Sequence, residues 1–228
     1  MEASTGMLPG GYWDSAGVLH REFELAVLTG REEELLAQAR LAESASLVSA
    51  VLSRGVRRLG DISPVTEDVA CQILVADRQY LLLKLRQFTF GDLVRADLFC
   101  PWAECGRRVS LEFGIDDVPV EEAAERAPCY TLTLSPRAMD EADAARREVS
   151  FRLPNGADQE AVSPLLARNE AEALTALLAR AILRIGLLSP PGMDNVVALS
   201  PLARAEIEAA MERIAPRIGL NIETACSE

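Results

Sequence analysis

The chain of 228 residues has one histidine, His20, and one lysine, Lys84. A Ser-His-Asp or Cys-His catalytic site would have to use His20, which precedes a predicted strand and has no serine or cysteine motif around it. No Gly-x-Ser-x-Gly, His-Glu-x-x-His, P-loop or dinucleotide-binding glycine pattern occurs. The sequence therefore predicts a protein that is not an enzyme and takes no small-molecule substrate.

Positive charge is also scarce, since 23 Lys and Arg residues face 35 Asp and Glu residues and the net charge is -12. Nucleic acid is not expected as a partner, because phosphate binding needs a basic surface. No run reaches the roughly 18 apolar residues of a transmembrane helix. The first residues lack the basic and apolar regions of a signal peptide. We expect a cytoplasmic protein without membrane contact.

Paired acids are plentiful and include Glu32-Glu33-Glu34, Asp116-Asp117 and Glu121-Glu122, which lie at predicted helix starts and in loops. Two carboxylates act as an acid and a base when their environments separate their pKa values. In loops, solvation is the ordinary state of such groups. Catalysis by acidic loops is therefore kept only as an alternative against which to test the other interpretations.

The five cysteines are odd in number and irregularly spaced, which does not fit a secreted disulfide framework. Cys100 and Cys105 are separated by four residues, and alternating segments flank them at 93–99 and 107–113. This pattern predicts a hairpin with a zinc-ribbon-like cysteine turn. A structural zinc needs four ligands, and beyond this pair only Cys226 is a candidate. Two interpretations stay open, one structural zinc or no cofactor and a reduced cysteine pair, and we favour the second.

The predicted fold class is α+β, mostly helical with small antiparallel hairpins. An irregular lead-in is expected over residues 1–19, and a capping box at Thr29 and Glu32 begins a short helix. Asp77 and Arg78 interrupt an apolar helix and predict a buried ion pair that orients it. The remaining predicted elements are helices at 46–59, 65–87 and 170–185, a last helix from Ser200-Pro201, and paired strands at 130–134 and 147–153.

Two domains are predicted. Residues 1–127 would form an N-terminal helical domain with the cysteine-turn hairpin, and residues 128–228 a strand pair followed by helices. No repeat with a period of about 20–50 residues is found. Aromatic side chains supply much of the energy of protein interfaces, so Tyr12, Trp13 and Trp102 are the predicted partner-binding residues.

Several segments together resemble the phage T4-type baseplate hub assembly proteins and their relatives in contractile tail and injection-system gene clusters. They are residues 28–36, Asp77-Arg78 with 81–86, residues 90–92, Cys100-Pro101 with Cys105-Gly106, and residues 154–158. Larger relatives of this kind carry a second cysteine turn near the C-terminus, whereas this sequence ends shortly after Cys226.

The resemblance implies a structural or assembly-assisting baseplate protein of a contractile phage tail or phage-like injection system. Its partners would be other baseplate or tail proteins, bound through protein–protein contacts. The resemblance also leaves two locations open, the cytoplasm alone or incorporation into the tail or injection particle. A stand-alone zinc-binding adaptor protein is the alternative function.

Overall fold

The computed structural model describes residues 4–32, 34, 44–102, 104–139 and 144–221. They form a mixed α and β protein with small antiparallel sheets, as expected. None of the described helices is both long enough and apolar enough to cross a bilayer. The strands are β1 (Ser4–Trp13), β2 (Leu19–Leu25), β3 (Val56–Leu59), β4 (Leu93–Phe99), β5 (Arg108–Gly114), β6 (Val120–Glu121), β7 (Tyr130–Thr133), β8 (Glu148–Phe151), β9 (Ile182–Ile185) and β10 (Arg217–Ile218). The helices are α1 (Ser44–Gly55), α2 (Glu67–Gln72), α3 (Val75–Phe90), α4 (Gly156–Leu166), α5 (Glu170–Ala181), α6 (Met193–Val197) and α7 (Pro201–Ile214).

Residues 4–90, which we call the first unit, contain an antiparallel sheet in the order β1-β2-β3. The expectation of an irregular lead-in was wrong, because Ser4–Trp13 pair with β2 from Ser4 opposite Leu25 to Trp13 opposite Leu19. Gly6 makes this pairing possible, since a Cβ there would lie 2.5 Å from the Phe23 ring. The turn after β1 is closed by Asp14, whose carboxylate accepts the backbone N–H groups of Ala16 and Val18.

The helix predicted over residues 65–87 is broken into α2 and α3. Ile73 and Leu74 between them are extended, and their backbone pairs with residues far along the chain. Gly156 N–H donates to Ile73 O at 3.1 Å, and Val75 N–H donates to Pro154 O at 3.2 Å. These bonds replace the helical ones, so the break satisfies its backbone groups through tertiary contacts.

Residues 130–214, which we call the second unit, contain a sheet in the order β7-β8-β9. The paired strands predicted at 130–134 and 147–153 are confirmed. The helix predicted over 170–185 ends at Ala181, and its last four residues form β9. The helix predicted over 46–59 likewise ends at Gly55, and its last four residues form β3. In both cases pairing with the central strand of a sheet prevails over helical spacing.

The two units correspond residue by residue at a constant separation of 126 positions. Ser4 opposite Leu25 in β1 and β2 matches Tyr130 opposite Phe151 in β7 and β8. After the third strand, Gly60 and Gly186 have φ angles of +55° and +54°. Their N–H groups donate to the carbonyls of Glu22 and Glu148, both at 2.7 Å. The chain is therefore a tandem duplication of one α+β unit.

Each unit has its own cluster of buried apolar side chains. One cluster is formed by residues between Leu8 and Leu85, the other by residues between Tyr130 and Met211. The hairpin of β4 and β5 and a segment with β6 connect the units. The predicted domain boundary at 127 and 128 falls in this connecting segment, and independent folding of the two parts stays a prediction.

Candidate functional site

The β4–β5 hairpin projects from the end of α3. The predicted hairpin is confirmed, with Leu93 opposite Gly114 and Phe99 opposite Arg108. Its base is fixed to α3, because Arg86 donates to Leu93 O at 2.8 Å and Lys84 Nζ lies 2.8 Å from Asp116 Oδ1.

The two strands of the hairpin are linked by cross-strand ion pairs. Arg95 Nε lies 2.6 Å from Glu112 Oε2. The hydrogen bond from Arg108, with a second one from Ser110, lowers the pKa of Asp97 to about 2. These groups are exposed, so they set the register of the strands more than they stabilise the protein.

The tip of the hairpin is apolar and exposed. Phe99 is 73% exposed, Trp102 77% and Leu98 46%. A two-stranded hairpin with both faces in water is only marginally stable. Exposed groups of large apolar side chains mark protein interaction sites. Leu98, Phe99 and Trp102, which we call the hairpin tip, can therefore bind an apolar surface of another protein.

The cysteine turn lies beside this tip. Cys100 N–H donates to Arg107 O at 2.8 Å, and Cys105 N–H donates to Trp102 O at 2.9 Å. Cys100 carries a free thiol, so no disulfide closes the turn. Within the described parts of the chain, no three His, Cys, Asp or Glu side chains form a group that could hold a metal. Cys226 lies outside the described residues, and zinc binding stays a prediction.

Asp77 and Arg78 are both buried, as expected, but they bind different elements rather than each other. The Asp77 carboxylate accepts the N–H groups of Gly10 at 2.8 Å and Gly11 at 2.7 Å in β1. Burial raises the pKa of Asp77 to about 6, although these two bonds oppose the rise. Asp77 thus attaches α3 to the first strand of its own unit.

Arg78 is 1% exposed and lies where the two units meet. Its guanidinium donates to Ser49 Oγ at 2.8 Å, Ala70 O at 3.0 Å and Ala45 O at 2.7 Å. The backbone of Gly156 covers it so closely that a Cβ there would lie 1.9 Å from Nη1. Burial lowers the pKa of Arg78, and the charge of Glu160 from the second unit counteracts this.

We call this contact the joint: the turn Asn155–Asp158 of the second unit inserted against α2 and α3 of the first. Asn155 Nδ2 also donates to Gln72 Oε1 at 2.7 Å. The turn is rigid, because the fully buried Asp158 accepts from Asn155 N–H, Arg152 and Arg180. Burial pushes the pKa of Asp158 up, but the bonds from Arg152 and Asn155 outweigh it and hold the pKa below its ordinary value.

The other predicted site residues lie apart from the hairpin tip. Tyr12 and Trp13 are half-buried and line a cavity of about 100 Å³ next to the joint. Tyr12 stacks on His20 with the ring centroids 6.1 Å apart. His20 is buried, with Nε2 3.1 Å from Asp14 Oδ2 and Nδ1 accepting from Asp61 N–H. Of the three predicted anchors, only Trp102 is freely exposed.

Sequence reasoning missed the joint and the duplication behind it. A pattern in the sequence does mark the duplication. Residues 56–64 (VRRLGDISP) and 182–190 (ILRIGLLSP) share an arginine, a glycine and a Ser-Pro pair at the same spacing. A search limited to short periods could not find it, because the two segments are 126 positions apart.

Residues 18–228 match the model of a family of phage base plate proteins. The chain belongs to the family described as T4 bacteriophage base plate protein. Searches of curated proteins and of solved structures give no significant match. The match covers the first unit from residue 18 on, the hairpin and the second unit, and leaves out β1. It confirms the resemblance to T4-type baseplate proteins and supports a structural or assembly role in the baseplate.

Proposed function

We propose that the protein assists or forms part of the baseplate of a contractile phage tail or phage-like injection system by binding other baseplate proteins through its hairpin tip. The exposure of Phe99 and Trp102 at the end of a two-stranded hairpin is the observation that carries this proposal. One face of the stem carries polar pairs such as Arg95 with Glu112, and the other carries apolar pairs such as Val94 with Phe113. The tip has the most exposed apolar rings of the hairpin, so it would supply most of the binding energy and the charged face of the stem the orientation.

The proposal rests on Trp102 rather than on Tyr12 and Trp13. The latter two are half-buried and border the cavity at the joint, so they have less apolar surface to offer a partner. We also infer that the protein works without catalysis. Its lone histidine, His20, is buried between Asp14 and the backbone of Asp61, where it cannot meet a substrate. A hub-assembly role, acting in the cytoplasm before incorporation into the particle, is part of the same proposal.

The test is co-expression of the tagged full chain with the products of neighbouring tail genes, followed by pull-down. A double variant, Phe99→Ser with Trp102→Ser, removes the two most exposed aromatic rings of the tip. Two interface hot spots cost about 2 kcal/mol or more each, so the affinity should fall by about 4 kcal/mol, which is several hundred-fold, and capture should be lost. Phe90→Ser is the matched control, because Phe90 is 63% exposed but lies at the base of the hairpin. Equal capture by the double variant, or no captured baseplate protein at all, would refute the proposal.

A further inference from the structure

The joint has two halves, an inserting turn and a receiving site, and each unit contains both. Among the described residues, the joint uses the receiving site of the first unit and the inserting turn of the second, Asn155–Asp158. Its counterpart in the first unit is the turn from Thr29 to Glu32, closed in the same way. Thr29 N–H donates to Glu32 Oε2 at 2.7 Å, as Asn155 N–H donates to Asp158 Oδ2 at 3.0 Å.

The turn of the first unit lies open. Among the described residues, nothing comes within 4 Å of a Cβ placed on Gly30, whereas the same atom on Gly156 would overlap Arg78. Val27 next to this turn is 49% exposed, whereas its counterpart Leu153 is 5% exposed because it packs at the joint. The first unit thus presents an inserting turn with an apolar neighbour and no receiver within the described chain.

The second unit keeps the receiving half. Arg204 is the counterpart of Arg78 and makes corresponding hydrogen bonds. Its guanidinium donates to Thr175 Oγ1 at 2.9 Å and to Val196 O at 3.2 Å. Thr175 and Val196 are the counterparts of Ser49 and Ala70. Arg204 is only half-buried, however. A cavity of about 350 Å³ lined by Leu188, Leu199 and Ser200 lies in the same region.

Larger apolar side chains lie at this receiving half where the first unit has small ones. Val197, 55% exposed, replaces Cys71, which is half-buried. Leu202, 44% exposed, replaces Ala76, which lines a cavity at the joint together with Leu153 and Pro154. Exposed apolar side chains at positions that the joint partly covers in the first unit point to a face that is covered in the assembled state. We call Val197 and Leu202 with Arg204 the receiving face.

We propose that the receiving face of one copy binds the turn Thr29–Glu32 of a second copy, so that copies associate head to tail as the two units do within the chain. Continuity with the joint is the reason to choose a second copy: among the described residues, each copy has one inserting turn and one receiving face that the joint does not use. Such a contact is heterologous, so it extends into a ring or an open chain of copies.

The contact between copies should be weaker than the joint. Pro201 stands at the position of Val75 and has no N–H to donate to the carbonyl of Leu28 in the second copy. Ala198 stands at the position of Gln72 and has no side-chain amide to bind Thr29. The carbonyl of Leu199 remains for Gly30 N–H. Apolar burial of Val27 against the receiving face would supply the rest of the stabilisation.

Sedimentation equilibrium of the full chain tests this proposal. The wild type should show concentration-dependent association below about 100 µM, the range of weak specific contacts. Gly30→Leu fills the open space at the inserting turn, and Val197→Asp charges the receiving face. Each variant alone should be monomeric, with the association constant lowered at least about tenfold. A mixture of the two variants should form a heterodimer and nothing larger, because one intact turn and one intact face remain.

Second variants guard against a folding defect. Val27→Asp should behave like Gly30→Leu, and Leu202→Asp like Val197→Asp, with unchanged thermal unfolding in each case. A wild type that stays monomeric overturns the proposal, and so does association that the turn variants leave intact. Variants that stay monomeric when mixed also overturn it. The outcome is independent of the hairpin tip, since the double variant at Phe99 and Trp102 should associate like the wild type.

Discussion

The substitution Gly156→Ala should destabilise the protein strongly, although it adds one methyl group at the start of a helix. The new Cβ would lie 1.9 Å from Arg78 Nη1 and 2.4 Å from Cζ. Ordinary contact begins near 3.4 Å, so the guanidinium would have to retreat by about 1.5 Å. Arg78 cannot do so without breaking bonds to Ser49 and Ala70, which lie at 2.8 and 3.0 Å.

The size of the effect follows from those bonds. A hydrogen bond to a charged group contributes about 1.5–3 kcal/mol, so losing two costs about 3–6 kcal/mol. The gain from replacing glycine by alanine is at most about 1 kcal/mol. We expect a net loss of about 2–5 kcal/mol in the free energy of unfolding. For a chain of this length that lowers Tm by about 4–20 °C.

Gly30→Ala is the matched control, because Gly30 is the counterpart of Gly156 and has open space around it among the described residues. Its free energy of unfolding should equal or slightly exceed that of the wild type. Urea denaturation and calorimetry measure both. The packing argument at the joint is refuted if Gly156→Ala lowers the free energy of unfolding by less than about 1 kcal/mol more than Gly30→Ala does. A double-mutant cycle with Arg78→Met should show coupling between the two positions.

Three further predictions concern other parts of the molecule. Burial raises the pKa of Asp77 from 3.8 to about 6. The contribution of Asp77 to the free energy of unfolding is therefore fully present below pH 3.8 and is lost as the pH rises through 6. The stability difference between wild type and Asp77→Asn should therefore shrink by about 3 kcal/mol from pH 3.5 to 6.5 in urea titrations, and a constant difference would contradict the assignment. Replacing Cys100 and Cys105 by Ser should leave Tm and circular dichroism unchanged, because backbone bonds close the turn; one zinc per chain, lost together with the fold, would show that a metal stabilises it instead. Trp102→Ala should change the free energy of unfolding by no more than about 0.5 kcal/mol, and a larger loss would mean that the ring packs within its own chain.

Local patterns in the sequence predicted the elements whose partners are close in the chain. The hairpin over residues 93–113 and the strand pair β7–β8 follow from alternation, since each strand pairs with its neighbour. The break between α2 and α3 could not be predicted in this way. Its backbone partners, Pro154 and Gly156, are some 80 residues further on, and the apolar spacing continues through the break.

The aromatic residue type alone made Trp102 a predicted anchor. The structure shows its side chain exposed, and partner binding stays a prediction. Tyr12 and Trp13 have the same residue chemistry, but β1 is a strand of the first sheet, so their rings lie against the joint. Asp77 and Arg78 were expected to be buried because they interrupt an apolar helix. Except for Ser49 Oγ, their partners are backbone groups, whose positions the residue types in the sequence do not reveal.

Helix α3 has a consequence for how the hairpin is aimed. It starts at the break beside the joint and ends at Phe90, with two residues between it and the start of β4. Sixteen residues at about 1.5 Å each make it a rod about 24 Å long. Asp77 and Arg78 anchor one end, and Arg86 and Lys84 anchor the hairpin at the other. If the helix tilted, the aromatic tip of the hairpin would move with it. The direction in which the tip points is therefore set by contacts at the opposite end of the helix.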